Sequence, residues 1–89
     1  MATLFVRHQV ASFSTWKKAY DEFDKTRRSM GVTSDGVYQL DGNPNDVTVY
    51  HEFATMEAAQ AFAGSTQLKE VMASAGVQGK PDVWFTSRA

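Results

Sequence analysis

Residues 36–53, GVYQLDGNPNDVTVYHEF, decide the fold. Gly36–Leu40 and Asp46–Phe53 are rich in β-branched and aromatic residues, and Asp41-Gly42-Asn43-Pro44-Asn45 between them is turn chemistry, so the segment predicts a β-hairpin. On its N-terminal side, Phe13, Trp16, Ala19, Tyr20 and Phe23 recur at helical spacing after a capping Ser12. They predict one helix of roughly four turns that closes near Met30-Gly31. Thr3–Val10 before it reads as a strand with apolar side chains on both parities until Arg7. On the C-terminal side, Thr55 caps a helix carrying Met56, Ala59, Phe62 and Ala63, and Ser65 caps its continuation through Leu68, Val71, Met72 and Ala75 to Gly76. Asp82–Thr86 is a last short strand.

The order strand, helix, strand, strand, helix, strand predicts an α+β, ferredoxin-like split βαβ fold (βαββαβ), one domain over residues 1–89, with an antiparallel four-stranded sheet and both helices on one face. The first and third strands are expected side by side and parallel. If Leu4, Val6, Val49 and Phe53 point toward the helices, then Phe5, Tyr50 and Trp84 lie on the uncovered face. Large aromatics there call for a second copy, two sheets packing face to face into a barrel.

Composition narrows the function. A chain of 89 residues buries only roughly 60–65% of its extended surface, and zero cysteines remove disulfides, thiolate zinc sites and cysteine nucleophiles. Borrowing surface from a partner copy solves that shortage. A net charge of −1 gives no general attraction to nucleic acid or anionic lipid. The start, Met1–His8, lacks a leader pattern and no long apolar run follows, which predicts a cytoplasmic protein.

The element order, with Val6-Arg7-His8-Gln9-Val10, Trp16, Gly31, Tyr50-His51-Glu52-Phe53 and Gly76-Val77 before Pro81, resembles the dimeric α+β barrel superfamily. It is most similar to the small stand-alone members described as antibiotic-biosynthesis-monooxygenase-like or cyclase-like. That resemblance implies a homodimer with a pocket between each sheet and its own helices, binding a small apolar, aromatic or polyketide-like molecule without a cofactor. It also implies chemistry ranging from cyclisation and isomerisation to cofactor-free oxygenation of quinol-like substrates, or none in a non-catalytic dimer. In the monooxygenase branch the third strand ends in tryptophan and the next helix presents a histidine; the matching positions here are Phe53 and, within a residue, Phe62.

His8 and His51 are the only histidines and share parity with apolar neighbours, so both are expected to face the pocket. His51 is the candidate base for enolate chemistry, with His8 or Tyr20 orienting the substrate; the alternative for each is a structural role. Trp16, Phe23, Phe53, Phe62, Leu68 and Met72 form the expected lining, and Tyr38 is a further phenol of unassigned face. Arg7 and Glu52 are expected to form an ion pair on the dimer face, beside Tyr50 and Trp84. No metal is expected, since no third ligand stands at a recognisable spacing. Arg27 and Arg28, interleaved with acids, read as a solvated helix face.

Overall fold

The computed structural model describes residues 1–89 and runs β1 (Ala2–Val10), α1 (Phe13–Glu22), α2 (Asp24–Ser29), β2 (Val32–Leu40), β3 (Asn43–Phe53), α3 (Met56–Ala63), α4 (Thr66–Ser74) and β4 (Val77–Ser87). The four strands form one sheet in the order β2-β3-β1-β4, and every neighbouring pair is antiparallel. The expected α+β ferredoxin-like fold is therefore present, with one correction. β1 and β3 are adjacent but antiparallel, because the strand-helix-strand unit returns β2 parallel to β1 and the tight hairpin then reverses the chain into the gap between them. The turn is also shorter than expected: pairing starts at Asn43, and a bulge beside Leu40 accommodates Pro44, which has no N–H to donate to a ladder.

Alternation assigns the faces. Ala2, Leu4, Val6, His8 and Val10 on β1 and Val47, Val49, His51 and Phe53 on β3 are buried beneath the helices. No helix is long and apolar enough to cross a membrane.

The first helical stretch is two helices rather than one. At Phe23 the backbone N–H is shared between the Ala19 and Tyr20 carbonyls, a tightened turn that ends α1 and lets α2 set off separately. Gly31, at φ +100°, makes the predicted stop. Thr55 and Ser65 accept from the N–H groups of Ala58 and Leu68 at 3.2 Å each, as their capping role requires. Ser12 does not cap α1. Its place is taken from across the fold by Asn45, whose Oδ1 accepts the Phe13 N–H at 3.0 Å and ties α1 to the hairpin.

The core is divided. Ala2, Leu4, Val6, Val32, Phe53, Ala59 and Phe62 pack at one end of the sheet, and Val10, Trp16, Val47, Val49 and Ala75 at the other. His8 and His51 are buried with these two clusters.

Candidate functional site

At the junction of the two core halves the helices enclose a cavity with about 50 Å³ open to the centre of a water molecule. One water needs roughly 10–15 Å³ on that measure, so the space suits a few waters or one small ring, and a fused polycycle requires side chains to move. Val6, His8, Val49 and His51 form the floor; Trp16, Tyr20, Phe23 and Arg27 form one wall; Phe62, Leu68, Val71, Met72 and Ala75 form the other. Five of the six expected lining residues are there. Phe53 is not: it lies behind Phe62, ring centroids 5.5 Å apart, as part of the packed core.

Antiparallel pairing separates the histidines. His8 is opposite Val47 and His51 opposite Leu4, an offset of four residues or roughly 13–14 Å along the strands. His8 meets the edge of Trp16 at 5.4 Å between centroids, whereas His51 lies between Phe62 at 5.1 Å and Tyr20 at 6.0 Å. Neither ring nitrogen of either residue has a hydrogen-bond partner within the protein. A buried polar group left so costs about 1–3 kcal/mol, which stability alone does not favour. Burial, helped by the charge of Arg27, pushes the His51 imidazole down to about 4. Burial also lowers His8, against a weaker opposing pull from Asp46. Both rings are neutral at pH 7, each with one donor and one acceptor nitrogen.

The Arg27 side chain corrects the reading of a solvated charge run: it is 3% exposed. Its Nη1 donates to Asp35 Oδ2 at 2.6 Å and Nη2 to the Tyr20 carbonyl at 3.1 Å, with Asp24 Oδ1 at 3.3 Å. The guanidinium also stacks over the Tyr20 ring, Cζ 3.8 Å from its centroid. The Tyr20 hydroxyl donates to Asp35 Oδ2, so this side chain gives the cavity its ring and not its phenol oxygen. Burial and that hydrogen bond raise the Tyr20 phenol. Burial also works to raise Asp35, but hydrogen bonds from Tyr20 and Arg27 and the charges of Arg27 and Arg28 outweigh it and hold the carboxylate low.

The signal for Arg27 was in the spacing. Trp16, Tyr20, Phe23 and Arg27 fall at intervals of four, three and four, so Arg27 continues the apolar stripe. Asp35, cross-strand partner of His51, follows from register once β2 is known to begin at Val32. No group of three or more His, Cys, Asp or Glu is placed to hold a metal ion.

The other face of the sheet carries Tyr38, Tyr50, Phe5 and Trp84, one from each strand in spatial order, with successive centroids 6.2, 6.4 and 5.5 Å apart. Tyr38 therefore points away from the cavity and is 61% exposed; Trp84 is 42% exposed. Tyr50 lies across Gly36, where a Cβ would stand 2.3 Å from its Cε2. The expected Arg7–Glu52 pair is absent. Arg7 instead holds Asp46 with both ends of its guanidinium, Nε to Oδ1 at 3.0 Å and Nη2 to Oδ2 at 2.7 Å. Register explains this: Arg7 is opposite Thr48, two residues from Asp46 on the same face, while Glu52 is opposite Thr3.

No family model matches the chain, and no curated protein sequence matches it. Solved structures share its fold. An antibiotic biosynthesis monooxygenase superposes with a TM-score of 0.77 at 10% identity, covering 100% of this chain and 99% of that one. SnoaB, a cofactor-independent oxygenase from Streptomyces nogalater, gives 0.79 at 8% identity over 98% and 91% of the two chains. The ActVA-Orf6 monooxygenase of Streptomyces coelicolor, in complex with nanaomycin D, gives 0.73 at 18% identity over 99% and 87%.

Proposed function

We propose that this chain is a homodimeric barrel that takes a small hydroxy-aromatic or enolisable molecule into each protomer's cavity and removes an acidic proton with His51, without a cofactor. The observation that carries this reading is the His51 ring, buried at the cavity floor with both nitrogens free of protein partners. The ring is unprotonated at neutral pH, as a general base must be, but a value of about 4 makes it a weak base in the empty cavity, so the charge developing on the ligand oxygen has to raise it. As the C–H bond breaks, the proton goes to the unprotonated His51 nitrogen and the electron pair moves onto the neighbouring carbonyl oxygen as an enolate. The imidazolium forms beside Arg27, a repulsion that the enolate charge offsets. Only a ligand long enough to span the cavity meets His8 at its far end, and Tyr20 holds Arg27 in place. The open aromatic face supports self-association through the sheets.

Reprotonation of the enolate at another carbon is isomerisation, and its attack on a carbonyl is cyclisation. A second fate, donation of an electron to dioxygen, is favoured by the fold shared with a cofactor-independent oxygenase. Phe53 and Phe62 weigh against a tryptophan- and histidine-assisted version of it, and oxygen uptake with hydroquinone or anthrone separates the fates.

The first step is testable apart from the rest. With phenylacetone in D₂O, NMR should show benzylic deuterium exchange accelerated by the wild-type protein. His51→Ala should slow it by roughly 10²–10⁴-fold with the subunit assembly unchanged. Equal rates for the two proteins would remove His51 as the base.

A further inference from the structure

We infer that Arg27, through its Nε–H, is the oxyanion-holding residue of the cavity, and that the site therefore selects ligands carrying an anionic oxygen, a phenolate or enolate, over neutral molecules of the same shape. This rests on the reading of the cavity as the ligand site and does not require His51 to act as a base.

The guanidinium has its terminal nitrogens engaged, by Asp35 and Asp24 and by the Tyr20 carbonyl, and its plane is stacked on the Tyr20 ring. Its orientation is therefore set before any ligand arrives. Nε is the one Arg27 nitrogen with no partner, and in the empty cavity its neighbours close over it, so a ligand oxygen reaches it by parting the wall side chains. Arginine that served only to neutralise Asp35 would need no cavity beside it, yet Arg27 and His51 line the same one. A planar donor held rigid by Asp35, Asp24 and the Tyr20 carbonyl and ring is the arrangement that stabilises a developing oxyanion with little reorganisation of its own. The charged and titratable groups around it are Tyr20 from α1, Asp24 and Arg28 from α2, Asp35 from β2 and His51 from β3. The carboxylates among them meet the guanidinium at Nη and not at Nε. Leucine, methionine, valine and phenylalanine fill much of the remaining wall, so an oxygen anion placed here has few competing hydrogen-bond donors apart from the two imidazoles and the Trp16 indole.

Selectivity is read with two chromophores of one shape. Wild-type protein should bind 4-nitrophenol as its phenolate, with the bound ring ionising at lower pH than in buffer, and should bind it roughly tenfold or more tighter than neutral 4-nitroaniline. Arg27→Lys keeps the charge opposite Asp35 but has no secondary N–H, and should lose that preference while its affinity for 4-nitroaniline stays within about twofold. Should this variant fail to fold, the pair Arg27→Gln with Asp35→Asn removes both charges together and should lose the preference likewise. The assignment is overturned if either folded variant keeps the phenolate preference, or if the wild type binds both probes equally or neither. His51→Gln separates the two readings: phenolate preference retained with deuterium exchange unchanged would end the role of His51 as base and leave Arg27 in place.

Discussion

On the outer face of β1 and β3, Arg7 meets both oxygens of Asp46, while one residue further along each strand, on the inner face, His8 and Val47 stand opposite each other and the histidine has no partner for either nitrogen. The same strands thus pair a buried carboxylate with a half-exposed arginine on one face and leave imidazole nitrogens unpaired on the other. Apolar groups follow the reverse pattern, with the aromatic row open outside and Phe62, Trp16 and Val49 closed inside. Exposed aromatic area with its polar neighbours satisfied is a surface for burial against another surface. Buried polar atoms without partners beside a cavity are a surface for a ligand.

Three perturbations test that contrast. The largest acts on the inner face through acid. His51 titrates at about 4 when folded and near 6.5 when unfolded, so between those values the unfolded chain binds more protons and stability falls as pH falls. The expected loss is about 3 kcal/mol from pH 7 to below pH 4, read from urea midpoints. His51→Phe should flatten that limb down to pH 5, leaving a smaller slope from His8; an unchanged limb would mean that the ring is not held neutral. Asp35 and Asp46, held below the ordinary carboxylate range, add their own losses at still lower pH.

Next comes the outer face. Trp84→Asp should weaken self-association by roughly a hundredfold, measured by sedimentation equilibrium, because a carboxylate would have to be buried where an indole was. A wild-type protein that sediments as a monomer at high concentration would refute the use assigned to this face. The smallest effect is expected from Gly36→Ala. Tyr50 must leave its place over residue 36, which should cost about 1–3 kcal/mol in thermal unfolding and disturb the aromatic row, yet leave phenolate binding in the cavity unchanged. Loss of binding in this variant would show that the two faces are not independent.

Much of this contrast was legible in the sequence. Leu4, Val6 and His8 share one parity and Phe5 and Arg7 the other, so facing followed from alternation alone, whatever the direction of the neighbouring strand. Direction and register were not legible by the same means, which is why Arg7 was matched to Glu52 rather than Asp46. Arg27 reads as solvated when set against the interleaved acids Asp21, Glu22 and Asp24; its burial shows only in the helical stripe it continues. Asp35 was missed for a related reason: a carboxylate on an inner sheet face has no sequence signature until its partners on other elements, Tyr20 and Arg27, are placed. The Asn45 cap on α1 is equally invisible from the chain alone, since the two groups lie 32 residues apart.

On the reading proposed above, a ligand meets His51 inside the cavity. The most direct measurement is an NMR titration of the wild-type protein with 4-nitrophenol at pH 7, observing the imidazole nitrogens and the contacts from the ligand's ring protons. A saturable shift at the His51 ring is expected, with nuclear Overhauser contacts to Val49 and Phe62 and little change at Tyr38 or Trp84 on the far face. Shifts confined to the outer face, or a His51 ring that does not respond while the protein remains folded, would contradict it.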